Sequence, residues 1–138
     1  MSATSANRID LRLGKPWEDK VFFSLGVVSS GRFLHTAGVT ARDPDGKLVG
    51  TGDMRAQTLQ CFQNIGDILR AAGARWEDVV KYTLYTTDIE RFDTETRELR
   101  APYFVGRPGA TLVEVSRLIH RDMLIEIEAI VALPENVT

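Results

Sequence analysis

Residues 53–88 read DMRAQTLQCFQNIGDILRAAGARWEDVVKYTLYTTD, and this stretch contains a helix, a turn and a strand. Asp53 has the short acceptor side chain of a helix N-cap, and Gly73 can close the helix in the left-handed conformation. Between them Leu59, Phe62, Ile65, Leu69 and Ala72 fall three or four apart, which predicts an amphipathic helix with one apolar stripe. Residues 79–87 (VVKYTLYTT) are dense in β-branched and aromatic types and predict a strand. Its alternation sets Val80, Tyr82 and Leu84 on one face and Lys81, Thr83, Tyr85 and Thr87 on the other.

Toward the C-terminus a second amphipathic helix is expected, with Ile89, Phe92, Thr96, Leu99 and Tyr103 on one face and Pro102 near its end. Arg107-Pro108-Gly109 turns the chain into a strand over 110–118 (ATLVEVSRL), and after a polar turn at 119–122 comes a last strand over 123–132 (MLIEIEAIVA). Toward the N-terminus, residues 21–28 (VFFSLGVV) and 32–37 (RFLHTA) read as a hairpin around Ser30-Gly31, with Phe22 and Phe23 on opposite sides. Residues 42–52 read as a loop with a tight turn at Asp45-Gly46, and residues 1–15 as a polar, partly mobile lead-in. The expected order is β-β-α-β-α-β-β in a single domain spanning 1–138, an α+β fold. Two helices cannot cover both faces of such a sheet, so both are placed on one.

The face left open mixes apolar residues with carboxylates. In the last strand Ile125, Ile127, Ala129 and Val131 point one way, and Leu124, Glu126, Glu128 and Ile130 the other. In 110–118, Val113 and Val115 are assigned to the helix side and Ala110, Leu112, Glu114 and Ser116 to the open side. A second copy of the chain covering this face is the economical reading; the alternative is a monomer whose 42–52 loop folds over it.

Composition narrows the function. Seventeen Lys+Arg against nineteen Asp+Glu leave a net charge of -2, with neither the basic excess nor the basic stripe of a polyanion binder. No apolar run is long enough to cross a bilayer, and the first residues carry no apolar core of a signal peptide, so cytoplasm is the expected compartment. One cysteine, Cys61, excludes an intrachain disulfide, and two histidines make a Cys/His zinc site implausible. Cys61, on the apolar side of its helix, reads as a buried small hydrophobe, and Trp17 and Trp76 as packing residues. His35 and His120 have no Ser or Cys nucleophile at a triad spacing. Gly50-Thr51-Gly52 lacks the spacing of a phosphate loop. Glu126 and Glu128 share a strand face, about 7 Å apart, and either can serve as a general acid or base or simply pair with arginines. Arg107, Arg117 and Arg121 are candidate carboxylate clamps.

Two segments, 53–88 and 110–133 (ATLVEVSRLIHRDMLIEIEAIVAL), resemble the RidA/YjgF/UK114 family of small deaminase-type proteins, with the likeness running from about Val21 to Leu133. The resemblance implies a chorismate-mutase-like fold, a mixed sheet backed by two helices, in a homotrimer with three clefts between subunits. It also implies hydrolysis of imines or enamines of amino acids to 2-oxo acids and ammonia, with no metal or organic cofactor; charge, motif and hydropathy lead to the expectation of no nucleic-acid or membrane partner. In the family an arginine clamps the substrate carboxylate and a glutamate of the IEIE run positions the attacking water. Glu126 matches that glutamate. The arginine stands before the Ser/Thr of P-A-R-[ST]-x-V-E-V, where this chain has Pro108-Gly109-Ala110-Thr111-Leu112-Val113-Glu114-Val115, so Ala110 occupies its place. Leu112 stands where a cysteine is frequent, Phe23 where a tyrosine is, and Ala37 replaces the serine of the T-S-G turn in Thr36-Ala37-Gly38. The loop before Glu126 is one residue longer. The expected site is a more apolar cleft lined by Phe23, Ala110 and Leu112, with Glu126 as acid/base and with Thr111, backbone N–H groups and Arg107 as candidate anchors of the substrate. The alternative is a non-catalytic small-ligand-binding or chaperone-like trimer.

Overall fold

A computed structural model describes residues 4–5 and 8–134. Seven strands, β1 (Thr4–Ser5), β2 (Arg8–Leu11), β3 (Gly26–Ser29), β4 (Phe33–His35), β5 (Val79–Thr86), β6 (Gly109–Glu114) and β7 (Ile125–Ala132), and two helices, α1 (Met54–Ala71) and α2 (Ile89–Arg100), make the α+β fold. The main sheet has the order β4-β7-β5-β6. Its β5–β6 pair is parallel and its other pairs are antiparallel. A parallel neighbour needs a crossover, and α2 supplies it.

α1 begins where the side chain of Asp53 accepts from the Ala56 N–H at 3.0 Å. It ends at Gly73, whose φ of 74° only glycine adopts without cost. Its buried arc is rotated from the expected stripe. Thr58, Cys61, Phe62, Ile65 and Leu69 are buried, whereas Leu59 is 38% exposed. Gln57, fully buried, ties the helix to the chain before β7: its amide donates to the carbonyls of Gly50 (3.1 Å) and Asp122 (2.9 Å) and accepts from Leu124 N–H (2.8 Å). On α2 the fully or almost fully buried residues are Phe92, Thr96 and Arg100, while Leu99 is half-buried. The apolar core joins Phe62, Ile65 and Phe92 of the helices to Tyr82 and Leu84 of β5 and Ile125, Ile127 and Val131 of β7, so both helices lie on one face.

Three expectations are corrected. Residues 21–28 and 32–37 form no hairpin: β3 pairs with β2, and β4 with β7. Residues 21–25 make no ladder because their backbone groups find other partners. Ser24 N–H donates to the Pro108 carbonyl (2.9 Å), and the Arg107 guanidinium takes the carbonyls of Val21 and Phe23. The expected polar lead-in of 1–15 also contains ordered structure, with residues 1–3 and 6–7 lying outside the described residues. Arg8 of β2 pairs with Asp10 at 2.7 Å and donates to the carbonyls of Glu77 (2.5 Å), Val79 (3.0 Å) and Gly106. These long-range bonds hold β2 against the main sheet. Finally, β6 faces the other way. Its register sets Ala110 beside Tyr82 and Leu112 beside Leu84, on the helix side, and Val113 beside Tyr85 on the open side, 37% exposed.

Candidate functional site

The open face carries Lys81, Thr83 and Tyr85 of β5, Thr111 and Val113 of β6, and Glu126, Glu128 and Ile130 of β7, as the strand registers dictate. The 42–52 loop does not cover it. That loop closes on itself through an Arg42–Leu48 bridge and is held on the helix side by Asn64 of α1, whose amide donates to the carbonyls of Thr40 (3.0 Å) and Arg42 (2.9 Å).

The two carboxylates of β7 differ in their surroundings. Glu128 accepts from the Tyr85 hydroxyl at 2.7 Å, and that bond to a carboxylate holds the phenol above its ordinary pKa. Glu126 is half-buried and its carboxylate makes no hydrogen bond or ion pair with a described residue. Its carboxylate lies against Gly38, where a Cβ would come within 2.3 Å of Oε2. Gly38 reaches that position through a bulge. Thr36 N–H donates to Ala129 (3.0 Å) and Val39 N–H to Ile127 (2.8 Å), so residues 37 and 38 together face the single residue 128. Ala37 is exposed on this bulge.

On the other side of the sheet is a cavity of about 530 Å³ at the β6 edge. Phe22, Phe23, Leu84, Phe104, Ala110 and Leu112 supply its apolar wall. Phe22 and Phe23 both line it instead of pointing to opposite sides, and Phe22 packs on Phe104 with ring centroids 4.7 Å apart. Arg100 of α2 also borders the cavity and is only 6% exposed. Its Nη2 donates to Asp93 at 3.1 Å, its Nε donates to Thr96 Oγ1 at 3.1 Å, and Phe92 stacks on the guanidinium at 4.7 Å. Burial draws the Arg100 pKa down, with Asp93 opposing that shift. The hydrogen bond from Arg97, with Arg100 behind it, holds the Asp93 carboxyl below the usual carboxylate range.

The residues expected to form one site therefore fall into two groups. Phe23, Ala110 and Leu112 share the cavity. Glu126, Ala37 and Thr111 are on the opposite face, where Thr111 Oγ1 accepts from Lys81 Nζ at 2.8 Å. Arg107 stands apart: at φ 51° it turns its guanidinium onto the carbonyls of Val21 (3.0 Å), Phe23 (3.1 Å) and Glu18 (3.3 Å). Arg117 bonds to the carbonyls of Leu118 and Ile119. Cys61 is buried with its thiol 3.8 Å from the Ile125 carbonyl, and desolvation pushes its pKa up, away from nucleophilic chemistry. His35 and His120 are exposed. Among the described residues no group of three or more His, Cys, Asp or Glu is placed to hold a metal, and no helix is long and apolar enough to cross a membrane. The sequence reading passed over Gly38 and Arg100. The signal for Arg100 was its spacing of four from Thr96 and eight from Phe92, which puts it on the buried face of α2.

Residues 20–133 match the model of the family described as Endoribonuclease L-PSP. A RutC family protein of Pyrococcus horikoshii is 43% identical over 104 residues, 75% of this chain and 81% of that protein. The rat 2-iminobutanoate/2-iminopropanoate deaminase is 32% identical over 99 residues, 72% of each chain. The crystal structure of a protein of the conserved Rid family from Yersinia pestis, described as of unknown function, superposes with a TM-score of 0.78 at 33% identity, covering 92% of this chain and 99% of that one. A family match over most of the length, joined to a mixed sheet backed by two helices, places this chain in the RidA/YjgF/UK114 family.

Proposed function

We propose that the chain is a cofactor-free imine or enamine hydrolase in which Glu126 positions and activates water, at a cleft that a second copy of the chain completes. The observation that carries this reading is the half-buried Glu126 carboxylate, unpartnered among the described residues and seated on Gly38. A group left free in this way can take a proton from water, whereas Glu128 is already engaged by Tyr85. In the reaction the water oxygen bonds to the imine carbon as Glu126 accepts a water proton. The imine nitrogen takes up a proton, and the carbinolamine then collapses to a 2-oxo acid and ammonia. The rat relative is named for deaminase activity of this kind. The test is a coupled assay in which imines are generated in place by oxidation of amino acids, and ammonia and 2-oxo acid are measured with and without the protein. Release no faster than in buffer across a panel of such imines would overturn the reading.

Within one chain Glu126 and the apolar cavity are on opposite faces of the sheet, so a site using both needs two subunits. The open face supports that assembly, with Phe33 and Val113 exposed on it and Ile130 half-buried. Light scattering is expected to give a trimer of about three times the 15.4 kDa chain mass at micromolar protein. A stable monomer would rule out the shared cleft.

Gly38→Ala tests the seat of the carboxylate. The added methyl would fall 2.3 Å from Oε2, so the flexible glutamate must swing aside. The expected result is a loss of about tenfold or more in kcat/KM, equivalent to about 1.4 kcal/mol, with the melting temperature little changed. Unchanged turnover would mean that the position of Glu126 does not matter to the reaction.

A further inference from the structure

Residues 18–24 run past the apolar cavity as a strap that belongs to neither sheet. Phe22 and Phe23 of this strap line the cavity, and the Phe22 ring packs on Phe104. No ladder holds the backbone of 21–25. Arg107 holds it instead. Its guanidinium donates to the carbonyls of Val21 at 3.0 Å, Phe23 at 3.1 Å and Glu18 at 3.3 Å, and Ser24 N–H donates to the Pro108 carbonyl at 2.9 Å. Phe22 therefore sits between two clamped peptide groups, whereas Arg107 does not line the cavity itself.

The latch is locally unfavourable. Arg107, at φ 51°, is the only non-glycine residue with positive φ among the described residues. Its Nε and the Oγ of Ser24 are buried without a hydrogen-bond partner among them. A left-handed backbone and an orphaned donor both cost free energy. Neighbours keep the turn in place: the Gly106 carbonyl accepts from Arg8, and Pro108, with its fixed φ, is buried. Strain at a residue whose guanidinium bonds only to the strap points to what the strap does.

We infer that Arg107 is a positioning residue: it latches the strap to the turn before β6, and so sets how closely the wall of Phe22 and Phe23 closes on an apolar ligand. That the ligand is a substrate rests on the hydrolase reading; the latch and its effect on the cavity do not.

Amide hydrogen exchange and the binding of indole, a neutral apolar probe, test this without turnover, on the full-length protein in its native assembly. Glycine takes a φ of 51° freely, so Arg107→Gly keeps the turn and removes only the latch. It is expected to speed exchange in residues 21–25 about tenfold or more, while α1, β5 and β7 exchange as in wild type. Indole should bind about fivefold or more weakly, and Phe22→Ala should weaken it by a similar factor. In the double variant the two losses should not multiply, because the latch acts through the wall that Phe22→Ala has already removed. In turnover the loss should fall on KM rather than kcat, since Glu126 is on the opposite face of the sheet. Losses that multiply, faster exchange spread over the whole chain, indole binding unchanged by Arg107→Gly, or a wild type that does not bind indole would each overturn the inference. Should Arg107→Gly not fold, Arg107→Lys decides. One ammonium keeps the charge but cannot span three carbonyls, so exchange at 21–25 should still quicken about threefold or more, and unchanged exchange overturns the latch. Absence of ammonia release with these results intact would overturn the hydrolase reading alone.

Discussion

Glu126→Gln is expected to lower kcat/KM for imine hydrolysis by about a hundredfold or more, the usual contribution of a positioned general base. The amide has the shape of the carboxylate and can keep its place over Gly38, but it cannot accept a proton from water. Substrate binding should survive, because the apolar cavity proposed to receive the substrate is on the other face of the sheet from Glu126. Folding should survive as well. The Glu126 side chain has no hydrogen bond or ion pair with a described residue to lose, and its neutralisation removes repulsion from Glu128 on the same strand face. The check is the coupled ammonia assay, with melting temperature and oligomeric mass measured on the same samples. A variant as fast as wild type would remove Glu126 from the mechanism. Ligand binding unchanged by the substitution, with no turnover in either protein, would favour the non-catalytic binder.

Phe62→Ala is expected to cost about 3–5 kcal/mol of stability, the range for removing a buried aromatic ring. Phe62 is fully buried at the junction of α1, β5 and the segment after α2. Its ring stacks on Tyr103 with centroids 4.3 Å apart and meets Trp76 and Tyr82 edge-on at 6.2 and 5.8 Å. Truncation leaves a void bounded by three rings that cannot close over it without breaking the Tyr82 hydroxyl's bond to the Tyr103 carbonyl, 2.9 Å long. Denaturant unfolding at one protein concentration measures the loss, and Phe62→Leu should retain much of the wild-type stability. A cost below about 1 kcal/mol would show that this aromatic cluster is not the centre of the core.

Several features were readable from the residues alone, and they share a physical basis: each depends on contacts within a few positions of chain. The Asp53 cap and the Gly73 stop are local hydrogen-bond and backbone choices. The two faces of β5 and of β7 follow from clean period-two patterns, and Glu126 could be placed on the open face for that reason. The resemblance in 53–88 and 110–133 also exposed Ala110 as a departure from a charged position. What the tertiary structure alone decided is non-local. The faces of β6 were not legible because Ala-Thr-Leu-Val has no strict alternation, and only its register with β5 sets Ala110 and Leu112 toward the helices. The pairing of β3 with β2 was hidden because the bonds that anchor β2 join Arg8 to carbonyls 69 or more residues away. Arg107 and Arg100 show the same rule in opposite directions. In sequence Arg107 sits beside the vacated position and suggests a clamp, yet the fold turns it onto backbone carbonyls. Arg100 resembles an ordinary base in the last turn of a surface helix, until the packing of Phe92, Thr96 and Asp93 around it carries its charge to the cavity wall.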